Sequence, residues 1–106
     1  MAEAKAPKPV MFRPRSEEIR DLIHRLAADT RNIAWSTHAL QRMVGVAVDV
    51  LRTGSLQGQI EPGSNPGEWK VKVVKEVKGR REVGVVVITI RDAQLFVKTT
   101  EWEDLR

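Results

Sequence analysis

The sequence predicts an α+β domain in which two helices come first and pack on one face of an antiparallel sheet of about four strands. Three observations lead there. Arg81-Glu-Val-Gly-Val-Val-Val-Ile-Thr-Ile90 is a β-branched run with apolar residues in both phases of a pleat. Val83, Val85 and Val87 fall on one side and Val86, Ile88 and Ile90 on the other, which reads as a central strand with both faces covered. Upstream, Ile19, Leu22, Ile23, Leu26 and Ala27 recur at the three-and-four spacing of a helix. The later apolar runs are joined by a few residues only, too few for the crossovers that parallel strands need.

Taken in order, residues 1–15 hold three prolines and four cations against one acid and little to bury, so they read as a disordered basic tail. Residues 16–106 then form one domain. Ser16 is placed to cap the first helix, with Glu17 and Glu18 complementing its positive end. His24 falls at the edge of the apolar stripe. Ile33-Ala-Trp35 reads as an apolar linker whose Trp35 plugs the core.

Ser36 or Thr37 starts a second helix through Leu40, Met43, Val44, Ala47, Val50 and Leu51, in which Leu40, Met43 and Val44 should face the sheet. Gly54 suits a left-handed position past its end. Gly45 interrupts the pattern, so residues 37–53 form one helix or two short ones.

A short strand over Gln57–Glu61, a loop of turn formers at 62–67 and a strand over Glu68–Lys78 follow. In the latter, Trp69, Val71, Val73 and Val77 share one face, while Lys70, Lys72, Val74, Glu76 and Lys78 share the other. Gly79-Arg80 is a tight connection into the central strand. Asp92-Ala93 turns that strand into a last one from Gln94 to Thr100, which the acidic end of the chain extends.

Composition narrows the chemistry. With no cysteine there is no disulfide and no thiolate centre, and two histidines make a histidine-rich metal site a poor expectation. No cofactor is expected. Phosphate-binding, dinucleotide and zinc-protease motifs are absent, as is a nucleophile elbow. No run is long enough to span a membrane, and residues 1–15 lack the apolar stretch of a secretory signal, so a cytoplasmic location is the expectation. The net charge of +4 suits an anionic partner such as RNA, and equally a lysine-rich solvated surface.

Candidate site residues follow from position. Lys70 and Lys72 project from the face opposite the helices, Lys98 joins them if register permits, and Arg80 and Arg81 sit at the adjoining turn. Together they form a cationic face that could hold a phosphodiester. Alternating lysines equally protect a strand from unwanted pairing. His38 and Arg42, four apart on one helical face, could act as general acid or base and oxyanion binder. The alternative is a histidine bonded to backbone and an arginine anchoring the helix to the acidic C-terminus.

Thr37-His-Ala-Leu-Gln-Arg-Met43, Val50-Leu-Arg-Thr-Gly54, Trp69-Lys-Val-Lys, Gly79-Arg-Arg-Glu-Val-Gly-Val-Val-Val and Val97-Lys-Thr-Thr-Glu-Trp-Glu-Asp104 together resemble a bacterial family of unknown function, itself distantly grouped with the RelE/ParE-like plasmid toxins. The resemblance implies a helical start and a curved antiparallel sheet. It also implies two kinds of activity: RelE-like members cleave RNA without metal, through basic side chains of the sheet, and ParE-like members act on gyrase. His38, Arg42, Arg81 and Lys98 match recurring polar positions of the family. Val44-Gly-Val46 is compressed relative to its usual arginine–glycine turn.

Two readings stand. One is a RelE-like, RNA-directed domain, as an RNA binder or a metal-independent endoribonuclease, using His38, Arg42, Arg81 and Lys98 with Lys70, Lys72 and Arg80 on phosphate. The other is a non-catalytic interaction module, in which a sheet edge or the Trp102 region docks an acidic antitoxin-like chain or another protein.

Overall fold

The computed structural model describes residues 13–41, 43–77 and 81–103. Residues 1–12 of the tail expected at 1–15, the connection at 78–80 and the last three residues lie outside this range. The elements are α1 (Ser16–Ala27), a 3-10 turn (Thr30–Asn32), β1 (Ile33–Trp35), α2 (Thr37–Leu40), α3 (Val44–Thr53), β2 (Ser55–Pro62), β3 (Glu68–Val77), β4 (Arg81–Ile90) and β5 (Gln94–Trp102). The class is α+β as expected, with three α-helices and a five-stranded mixed sheet among the described residues in place of two helices and about four strands.

Helix α1 buries the whole predicted stripe, Ile19 through Ala27. Its cap is Arg15, one residue before the expected Ser16, and the Arg15 N–H donates to Glu18 Oε1 at 3.0 Å. At the other end Arg52 Nε donates to the Ala27 carbonyl (2.8 Å), supplying a partner that the helix itself does not, and Asn32 Nδ2 donates to the Leu26 carbonyl (3.1 Å), which also accepts the Asp29 N–H (3.2 Å).

The segment expected as a linker is strand β1, which runs parallel to β5 with Ile33, Ala34 and Trp35 opposite Leu95, Phe96 and Val97. Three residues are too few to show a period of two, so the strand was invisible in the sequence. Trp35 is half-buried against the core.

Residues 37–53 form two helices. Helix α2 ends at Leu40 and α3 begins at Val44, ahead of Gly45, with Met43 in left-handed backbone angles (φ 45°) at the start of α3. In α2 Ala39 is buried and Leu40, expected to face the sheet, is 57% exposed. Ser36 fixes α2 twice over: its Oγ accepts from the Ala39 N–H (3.0 Å) and donates to the Lys98 carbonyl (2.7 Å).

Gly54 is not left-handed, with φ at −78°. It is required for space, since a Cβ there would meet the Val50 carbonyl oxygen at 2.6 Å and Val73 Cγ1 and the Val74 carbonyl oxygen at 2.7 Å. His24, at the stripe edge, bonds the Gly54 carbonyl through Nε2 at 2.8 Å, so that nitrogen is the donor.

The sheet order is β1-β5-β4-β3-β2, with the Val83–Ile90 strand at its centre as predicted. Strands β2 to β5 form the expected antiparallel meander. The β4–β5 turn spans residues 91–93 between paired Ile90 and Gln94, with Arg91 and Asp92 both at positive φ and the Ala93 N–H donating to the Ile90 carbonyl (3.0 Å).

Val71, Val73, Val83, Val85, Val87, Leu95 and Val97 are buried together with the stripe of α1 and with Ala47, Val50 and Leu51 of α3. On the other face Val86 and Ile88 are only half-buried, contrary to the expectation of two covered faces. There Lys72 and Lys70 stand directly opposite them in register, so that their methylene stems shield apolar surface in place of a second layer. Among the described residues, no helix is long and apolar enough to cross a membrane.

Candidate functional site

Strand register divides the predicted site residues among three places. Lys70 and Lys72 pair with Ile88 and Val86 and so lie on the face away from the helices, as expected. Arg81 pairs with Val77 and shares the opposite phase with Val83 and Val85, on the helix side. Lys98 is the extra residue where the β4–β5 register slips from Val87↔Val97 to Val86↔Thr99. It is exposed at the outer edge of β5, and the Ser36 bond to its carbonyl brings exposed His38 to that same edge. His38 is carried on α2, which ends at Leu40. Arg42 and Arg80 lie outside the described residues.

The lysine face is balanced by acids. Glu103 pairs with Lys72, and Glu61 lies 4.0 Å from Lys70. A Cβ on Gly84 would meet the Glu103 carboxylate at 2.5 Å and Lys72 Cε at 2.8 Å, so this mid-strand glycine makes the bed in which the Lys72–Glu103 pair rests. Glu76, Glu82 and Glu101 occupy the same phase of the sheet. Where β2 bulges between Gln57 and Glu61, a notch of about 290 Å³ opens, lined by Gln57, Gln59, Glu61, Lys70 and Lys72. Two lysines with carboxylate partners leave little net positive field for a phosphate.

A larger groove, about 630 Å³, lies at the far end of the helix side. Its walls are Gly45, Val46 and Asp49 of α3, Lys75, Glu76 and Val77 of β3, and Trp102 of β5. Asp49 and Lys75 close on each other at 2.8 Å and tie α3 to β3. The Arg81 guanidinium sits 4.0 Å from the centroid of the Trp102 ring, a cation–π contact that holds both side chains at the groove's edge. Val46, Val77 and Trp102 pack against the core yet remain half-buried, so the groove exposes apolar surface that the domain does not cover. Sequence reasoning had reached Trp102 and Arg81 separately. The groove itself depends on where α3 begins, which no local pattern reveals.

Among the described residues, no three His, Asp or Glu side chains converge on a point that could hold a metal ion. No family model matches the chain, and neither a curated protein nor a solved structure does.

Proposed function

We propose that this domain is a non-catalytic protein-interaction module that docks its partner in the groove beside Trp102. The observation that carries this reading is the incomplete burial of Val46, Val77 and Trp102 around a cavity of about 630 Å³. Concave apolar surface rimmed by charge is the usual form of a docking site. The neutralisation of Lys70 and Lys72 by Glu61 and Glu103 points the same way, because it weakens the competing use of the sheet for phosphate. In this reading the protein works in the cytoplasm, and the partner is a protein, of which an acidic antitoxin-like chain is one form.

The second reading is a RelE-like domain acting on RNA, as a metal-independent ribonuclease or a binder. What favours it is the net charge of +4 and the placing of Lys70 and Lys72 side by side in one notch. One experiment separates the two. Wild-type protein and Trp102→Ala are used for affinity capture from the native host, and RNA affinity is measured at low salt for wild type, Lys70→Ala/Lys72→Ala and Arg81→Ala/Lys98→Ala. The docking reading expects a protein captured by wild type and lost with Trp102→Ala, and RNA binding unmoved by either double variant. RNA affinity that collapses in the double variants, with capture unchanged in Trp102→Ala, overturns it in favour of RNA.

A further inference from the structure

The chemistry of the groove narrows what it takes. Gly45 lies in the first turn of α3, where glycine is less favourable than alanine. Nothing among the described residues requires it. Its φ is not positive, and among the described residues a Cβ there would have no heavy atom within 4 Å. Contrast Gly54, which backbone atoms crowd from two sides. A glycine that is sterically unnecessary, on the wall of this groove, leaves room for another chain to approach the helix closely.

The rim of the groove is charged. Lys75 is satisfied by Asp49 across the groove. Arg81 contacts the Trp102 ring, and among the described residues it has no carboxylate partner. Its guanidinium offers several N–H donors in a planar fork suited to a carboxylate. Glu76 occupies the other rim, in the sheet phase away from Arg81.

Resting on the docking reading above, we infer that the occupant is a peptide segment of a partner protein that inserts one large apolar side chain between Val46, Val77 and Trp102, passes close over Gly45, and sets a neighbouring Asp or Glu on Arg81. The apolar anchor supplies the affinity and the carboxylate the selectivity.

The test is a selection of random twelve-residue peptides displayed on phage, run in parallel against the full wild-type chain and against Gly45→Trp, which fills the groove mouth from a position with open space around it. The expected outcome is enrichment on wild type alone of peptides in which a large apolar residue lies within two positions of an acid. Repeating the selection on Arg81→Glu should replace that acid by Lys or Arg. A synthetic peptide of the selected sequence should bind Arg81→Gln about tenfold more weakly than wild type. Melting curves for each variant establish that it folds. Groove-dependent enrichment with no acid, or with an acid that survives Arg81→Glu, overturns the inference and leaves the docking reading standing. Equal enrichment on wild type and Gly45→Trp, or none on either, overturns both.

Discussion

The same substitution, nine residues apart, should move stability in opposite directions. In Gly54→Ala the new methyl would lie 2.6–2.7 Å from the Val50 and Val74 carbonyl oxygens and from Val73 Cγ1. Two of the three are backbone atoms, one from α3 and one from β3, so relief requires the helix to lift from the sheet that Val50 and Leu51 pack against. Moving that corner also strains the Gly54 N–H to Val50 carbonyl bond (2.7 Å) and the His24 bond to the Gly54 carbonyl. Overpacking of this kind costs about 3 kcal/mol, or roughly 12–24 °C in melting temperature for a domain of this size.

Gly45→Ala meets open space and removes backbone freedom from the unfolded chain. It should gain about 0.5–1 kcal/mol. Thermal and urea melts followed by circular dichroism read both. A Gly54→Ala protein melting within about 3 °C of wild type, by the same scaling, would refute the packing of α3 on β3 described above. A destabilised Gly45→Ala would refute the claim that the fold has no use for that glycine.

Three further substitutions probe particular contacts. Thr100 is fully buried with its hydroxyl unpartnered among the described residues, so Thr100→Val should stabilise by about 1 kcal/mol, and a loss in urea titration would reveal a hidden partner. Arg52→Met keeps the aliphatic stem but leaves the Ala27 carbonyl without its donor; a cost of about 1–2 kcal/mol is expected, and an unchanged melt would deny Arg52 its part in ending α1. The Arg31 guanidinium and backbone N–H hold the Asp29 carboxyl down at about 2 from its ordinary 3.8. A lowered native value means this carboxylate stabilises the fold above pH 3.8 and ceases to do so as pH falls toward 2. Asp29→Asn should therefore show a shallower loss of stability across that window, and an acid-unfolding curve identical to wild type would contradict the pairing.

The sequence revealed what repeats and concealed what closes. The stripe from Ile19 to Ala27 and the two phases of Val83–Ile90 were legible because periods of 3.6 and 2 over nine and eight residues have few competing explanations. Strand β1 was not, because three residues held by a parallel neighbour some 60 positions away carry no local period. Gly45 made a division of residues 37–53 one of two alternatives, and the helices part ahead of it, where Met43 takes positive φ, a conformation uncommon for a residue other than glycine.

The candidate site was harder still. Lys70 and Lys72 were placed on the correct face from alternation alone, yet their neutralisation depends on Glu61 and Glu103, which register brings beside them from other strands. Arg81 and Trp102 are 21 positions apart, and only the turn of β4 into β5 sets one over the other.

A partner seated against the first turn of α3 would be caught by photo-crosslinking in the native host, with Gly45→p-benzoylphenylalanine in the groove and Gln59→p-benzoylphenylalanine on the exposed bulge of β2 as the control position. A discrete crosslinked protein formed from position 45, absent from position 59 and reduced when Trp102→Ala is added, is the predicted result. The same products from both positions, or none from position 45 in a protein that melts normally, would contradict it.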